Sequence, residues 1–241
     1  MRTLVIVPAF NEAANLPRVL AALAEHAPAC DVCVVDDGSS DATSDVAARL
    51  GARVLRCPVN LGIGGAVQTG YLWARDHGYD AAVQIDGDGQ HDPAFIADAL
   101  APIAEGRADV VIGSRFLGGG DGFRSTRLRR AGITYLAWFL RARCGARVTD
   151  PTSGFRAAGR RAIEQFAVAY PSDYPEPEAI ALATRRGLKL EEIPVRMAPR
   201  AHGRSSITAW RTVYYLVKVS LALVLLPAGD ARHAPDAESP R

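Results

Sequence analysis

Short apolar runs alternate with longer amphipathic stretches through the first half of the chain. That rhythm predicts an α/β fold of βα units around a mainly parallel sheet. Residues 3–7, 31–35, 53–56, 81–85 and 109–112 read as strands, and 12–27, 43–50, 65–77 and 93–105 as helices. Ser39, Ser40 and Asp41 stand before the second helix as capping candidates. Ligands of an open parallel sheet bind at the carboxyl ends of its strands. Polar clusters fall there: Asn11 with Glu12, Asp36 with Asp37, Asn60, and Asp86 with Asp88.

Beyond Gly113 the alternation fades into an Arg- and Gly-rich loop, an apolar stretch at 133–140 and the segment 149–155. Residues 207–226 are strongly apolar, interrupted by Arg211, Lys218 and a few hydroxyls. A helix of about 20 residues just reaches across a bilayer. The two cations favour a helix lying on the membrane surface, or packed on a membrane partner, over a simple crossing. The expected organisation is one catalytic domain at 1–206, a membrane-associating helix at 207–227 and a disordered tail at 228–241.

Composition narrows this picture. A chain of 241 residues can bury a full core as one domain, and 49% apolar with 22% charged residues excludes a largely disordered one. A net charge of +2 gives no reason to expect nucleic acid, but its distribution is uneven. Between Arg115 and Arg147 eight arginines face one acidic residue, Asp121, so that stretch seeks an anionic partner. The 26 arginines against two lysines reflect a GC-rich coding bias rather than function. Cys30 and Cys33 have a metal-like spacing without a second pair; the four cysteines read as reduced, mostly buried thiols of a cytosolic protein. The first apolar run stops at Pro8, too short for a secretory signal, which leads to an expectation of a cytoplasmic domain.

The central chemical feature is the stretch from Gln84 to Pro93, which carries Asp86-Gly87-Asp88 just after an apolar strand. Two carboxylates two residues apart in a glycine-loosened turn can face one hard cation and the diphosphate it neutralises. Alone the triplet is weak, because acidic turns are common; an EF-hand is excluded for want of the ligand ladder and terminal glutamate. The glycines at 62–65 are no dinucleotide fingerprint, since Val67 holds the third glycine's place and the first strand lies elsewhere.

Taken together, Val7-Pro8-Ala9-Phe10-Asn11-Glu12, Val34 to Asp41, Asn60 to Ala66 and the Asp-Gly-Asp segment resemble, in order and over roughly the first 115 residues, the family 2 glycosyltransferases of the GT-A fold. Further segments look like the dolichyl- or polyprenyl-phosphate sugar synthase branch: Gly113-Ser114-Arg115-Phe116, Arg129-Arg130, Thr149 to Arg156, and Arg200 to Ser206.

The resemblance implies a nucleotide-diphosphate sugar donor, UDP- or GDP-linked, with Pro8, Phe10, Glu12, Asp36 and Asp37 around the nucleoside and Asp86 toward the ribose and diphosphate. It implies Mg²⁺ or Mn²⁺ on Asp88 and Gln90, with Asp86 nearby. Arg115, Arg129, Arg130 and Ser153 would meet the acceptor, a polyprenyl phosphate or a glycan hydroxyl, since guanidinium groups form paired bonds to phosphate oxygens. Asp150 would orient or balance charge for a phosphate acceptor, or serve as general base for a hydroxyl. Arg200 and Ser205 would close over the leaving diphosphate. Asp36 and Asp37 equally suit a helix N-terminus.

Two departures temper the likeness. Members of the branch often carry two or more membrane-spanning helices, whereas this chain has at most one marginal span, which fits a peripheral enzyme at the inner face of the plasma membrane, recruited by a small integral membrane protein. The segment Ser172 to Glu178, with two prolines and three acids, differs from the lipid-phosphate synthases and leaves the acceptor open. A catalytically silent nucleotide-sugar-binding subunit is the alternative from another class; the retained Asp86, Asp88 and Asp150 argue against it.

Overall fold

The computed structural model describes residues 1–119, 127–198 and 209–225, with backbone alone for 119, 127, 128 and 209–214. The helices α1 (Leu16–His26), α2 (Thr43–Arg49), α3 (Gly62–Asp76) and α4 (Ile96–Ala104) alternate with strands β1 (Thr3–Ala9), β2 (Asp31–Asp36), β3 (Arg53–Arg56), β4 (Ala81–Gln84) and β5 (Val110–Ser114). Then follow α5 (Arg127–Cys144), β6 (Arg156–Gly159), α6 (Arg160–Val168), α7 (Pro175–Arg185), β7 (Leu190–Pro194) and α8 (Ala209–Leu225). The sheet order is β3-β2-β1-β4-β6-β5-β7. All neighbours run parallel except β6, which pairs antiparallel with both β4 and β5.

The pleat of β1 explains the layering. Leu4 and Ile6 join the core beneath α3, α5, α6, α7 and α8, while Val5, Val7 and Ala9 join the core beneath α1, α2 and α4. Successive side chains of a strand leave on opposite faces. A strand buried on both faces therefore reads as a continuous apolar run. On α1 the buried Leu16, Val19, Leu20 and Leu23 follow the stripe of a helix that covers a sheet.

Three local expectations shift. Helix α1 begins at Leu16 rather than Glu12, because Pro17, which lacks an N–H, fits only the first turn, and the Glu12 carboxylate is taken by the Asn15 amide at 2.6 Å. Helix α3 begins at Gly62, three residues early. The second half, where the pattern fades, holds regular elements: the apolar stretch at 133–140 lies within α5, and Arg156–Gly159 is the reversed strand. The expected helix at 207–227 is present as α8 over its described part. Among the described residues no helix is long and apolar enough to cross a membrane. The expected tail lies outside the described residues. All four cysteines are free thiols, and burial pushes Cys33 up to about 12.

Candidate active site

Loops at the carboxyl ends of β1, β2 and β4 converge on a cleft of about 280 Å³ lined by Pro8, Phe10, Glu12, Asp37, Asn60, Gly62, Asp86 and Asp88 among others. The first two loops are stitched together. Asn11, in the left-handed region at φ 56°, accepts the Ser40 and Asp41 amides at 2.9 and 3.3 Å, and its own amide reaches the Ser39 hydroxyl at 2.9 Å. The Glu12 amide donates to Thr43 Oγ1 at 2.9 Å. Phe10, thus fixed, is 47% exposed, a flat apolar face at the cleft rim.

Asp36 and Asp37 do different work. Asp36 is fully buried and accepts the Ser39 amide at 2.8 Å and the Ser44 hydroxyl, with Arg56 3.9 Å away. Burial opposes its charge, but these bonds and the Arg56 guanidinium outweigh it and hold the carboxyl below its usual range. Asp36 is therefore committed to the loop, whereas Asp37 lines the cleft and accepts the Leu61 amide at 2.7 Å, fixing the chain as it enters α3. That entry requires glycine at position 64: a Cβ there would lie 2.0 Å from the Pro171 carbonyl, and the Gly64 amide donates to the Ser172 carbonyl at 3.1 Å.

The Asp-Gly-Asp turn is held from several sides. The Asp86 amide donates to His91 Nδ1 at 3.0 Å, which leaves the neutral ring proton on Nε2 facing the Asp86 carboxylate at 3.7 Å. Asp88 Oδ1 accepts the Gln90 amide at 3.0 Å, and Arg18 donates to the Gly89 carbonyl at 3.1 Å. Gly154 lets the opposite loop approach, since a Cβ there would meet Asp86 Oδ2 at 3.1 Å. The Asp86 side chain remains 34% exposed. Gln90 also joins the turn to the following stretch, as its carbonyl accepts the Ala198 amide at 2.9 Å. Two carboxylates and an amide are hard oxygen donors suited to Mg²⁺ or Mn²⁺. Among the described residues no three His, Cys, Asp or Glu side chains group to hold a metal, so oxygens from a ligand would complete such a shell.

Beside the cleft lies a buried ion pair. Arg115, 5% exposed at the end of β5, donates from Nε and Nη2 to both oxygens of Asp150 at 2.6 and 2.7 Å, and its amide reaches Asp150 at 3.2 Å. Asp150 is fully buried. Its loop is shaped by Glu192 of β7, which accepts the Thr149 and Asp150 amides at 2.7 and 2.9 Å. Burial raises the Glu192 carboxyl, against these bonds. Ser153 is buried, and its hydroxyl has no hydrogen-bond partner among the described residues. Arg130 stacks 5.6 Å from the Phe116 ring, as Arg115 does at 5.8 Å. Arg129 is pushed below the ordinary arginine value by loss of water and by Arg115, which places it beside the same pair.

Beneath lies a polar group that the sequence did not single out. Arg156, 2% exposed on β6, donates to the Ser153 and Glu176 carbonyls at 3.0 and 2.6 Å. Burial raises Glu176 despite Arg156. Arg18 and Glu192 lie outside every motif segment the sequence marked, and His91, Arg156 and Glu176 lie inside such segments without a signal of their own; only pairing across strands and loops brings them to the site. Arg200 and Ser205 lie outside the described residues.

The model for glycosyl transferase family 2 matches residues 4–166. The chain is 33% identical over 216 residues to an undecaprenyl-phosphate mannosyltransferase of Micrococcus luteus, covering 86% of this chain and 88% of that one. It is 31% identical over 220 residues to the polyprenol monophosphomannose synthase of Mycolicibacterium smegmatis, covering 86% and 81%. The crystal structure of glucosyl-3-phosphoglycerate synthase from Mycobacterium tuberculosis with Mn²⁺ and UDP-glucose superposes with a TM-score of 0.70 at 23% identity, over 95% of this chain and 79% of that one, a likeness of fold. The chain thus belongs to glycosyl transferase family 2, as a GT-A glycosyltransferase whose relatives fall in the polyprenyl-phosphate sugar synthase branch.

Proposed function

We propose that this enzyme transfers a sugar, with inversion, from a UDP- or GDP-sugar to a polyprenyl phosphate at the cytosolic face of a membrane. The observation that carries the reading is the convergence of Phe10, Asp37, Asp86 and Asp88 on one cleft, with the arginine group of Arg115, Arg129 and Arg130 beside it. Phe10 offers a face to the base, and Asp37 lies where it can accept from the nucleoside. Asp86, Asp88 and Gln90 would hold Mg²⁺ or Mn²⁺, which neutralises the donor diphosphate when bound. Mn²⁺ and UDP-glucose in the structural neighbour accord with that donor.

The acceptor oxygen of a phosphate is already ionised at neutral pH and attacks the anomeric carbon without a strong base. Asp150 suits that chemistry, since both its oxygens are engaged by Arg115, and acting as a base would require breaking the pair. In this reading Asp150 positions Arg115, and Arg129 and Arg130 face the lipid phosphate. Arg200 and Ser205 would close over the diphosphate and stabilise the leaving group.

A thermal-shift panel of UDP, GDP and their sugar conjugates, with and without Mn²⁺, tests the donor. Stabilisation by one nucleotide that requires metal and disappears in Asp88→Ala is expected. A folded Asp88→Ala enzyme with full metal-dependent turnover would remove the metal assignment. Turnover on a soluble sugar at the rate seen with polyprenyl phosphate would replace the acceptor.

A further inference from the structure

Helix α8 is apolar on two sides. Val219 and Leu223 are buried in the core, yet Val217, Leu221, Val224 and Leu225 point outward at 48 to 76% exposure. A water-facing helix surface ordinarily carries polar residues at those positions. Its neighbour α5 continues the same surface with Tyr135 and Trp138, the latter 62% exposed. The helices are joined there: the Tyr135 and Ser220 hydroxyls bond at 3.0 Å, and Arg143 donates to the Val224 carbonyl at 3.1 Å. Six of the thirteen large hydrophobic side chains exposed among the described residues lie on these two helices, so the patch is concentrated rather than scattered.

Its charge is mainly basic. Arg130, Arg141, Arg143 and Arg147 are exposed on and just after α5, neither helix contains an acidic residue, and the exposed Asp173 that borders α8 is paired with Lys218. An apolar strip with interfacial aromatics and an arginine border matches the boundary of a bilayer with anionic headgroups. The strip also adjoins the site. Arg130 and Trp138 are eight residues apart on α5, roughly 12 Å at 1.5 Å per residue, and the Arg130 end lies beside Phe116 and Arg115.

We propose that the outer faces of α5 and α8 form a single docking surface that seats on an anionic lipid bilayer, with Trp138 and Leu221 as its apolar anchors. The bilayer is then brought to the arginine end of α5, so that a lipid acceptor enters the site without leaving the membrane. This last consequence rests on the polyprenyl-phosphate reading; the docking itself does not.

The test is sedimentation of the full chain with phosphatidylcholine vesicles, with or without phosphatidylglycerol. Binding is expected with the anionic vesicles, at least tenfold weaker without phosphatidylglycerol or in high salt. It should fall at least tenfold in Trp138→Ser/Leu221→Ser and several-fold in Arg141→Gln/Arg143→Gln. Brominated lipid should quench tryptophan fluorescence in the parent, and to a smaller extent in Trp138→Phe, which keeps Trp73 and Trp210. Unchanged UDP or GDP thermal shifts in these variants would show that fold and donor site survive, which separates loss of docking from failure of the donor assignment. Equal binding by parent and double variant, no binding to protein-free vesicles, or binding only when an integral membrane protein is included would each overturn the proposal.

Discussion

Removing either member of the Arg115–Asp150 pair should destabilise the fold far more than removing both. The two bonds at 2.6 and 2.7 Å join groups that are 5% and 0% exposed, so a single truncation leaves a charge in the interior without its partner. Breaking a buried pair in this way costs roughly 3–5 kcal/mol, whereas replacing both partners by apolar residues is often neutral. Thermal midpoints for a domain of this size move about 2–4 °C per kcal/mol, so a fall on the order of 6–20 °C is expected for Arg115→Met or Asp150→Leu alone. The double variant should recover most of it. Urea unfolding of the two singles and the double gives the coupling directly, and donor-induced thermal shift shows whether the nucleotide cleft persists. Two singles each within about 1 kcal/mol of the parent, with transfer abolished, would refute the reasoning and make Arg115 a direct ligand of the acceptor.

Gly64→Ala places a methyl group 2.0 Å from the Pro171 carbonyl, so the contact between α3 and the 171–172 segment must open; a loss of about 1–3 kcal/mol in urea unfolding is expected, as for overpacked sites, and an unchanged midpoint would contradict the packing. The folded-state Asp36 carboxyl sits below its ordinary value. Its contribution to stability is therefore complete above the unfolded value near about pH 4 and is lost as the pH falls toward the folded one. Asp36→Asn should flatten the acid limb of the unfolding midpoint against pH, and parallel limbs for parent and variant would count against the assigned bonds.

Much of the donor side was legible locally. The period of apolar residues outlines each βα unit, and the end of a parallel strand is where polar residues gather, so Glu12, Asp37, Asp86 and Asp88 could be found one strand at a time, while Phe10 was implied only by the family resemblance. The cleft that joins them needed only the order of strands. Asp36 shows the limit of that reading: the same residue type one position away is turned inward onto Ser39, Ser44 and Arg56, and the sequence alone does not tell the two carboxylates apart.

The acceptor side depended on pairings between distant segments. Strand β6 is four residues long and reversed, with no helix-strand rhythm to announce it, yet it carries Arg156 next to Gln84. Arg115 could be read as a phosphate ligand from its type and its arginine-rich surroundings; only the approach of the 149–153 loop, held by Glu192, commits it to Asp150. The apolar run of α8 was visible in the sequence, but its joining with the Trp138 face of α5 was not, because both helices must first bury their other sides against the same core. What the sequence determined by itself was therefore the chemistry of short contiguous motifs and the period of each element. What only tertiary structure decided was which charges neutralise one another and which apolar faces remain outside, since both depend on partners brought together from 35 to about 85 positions away.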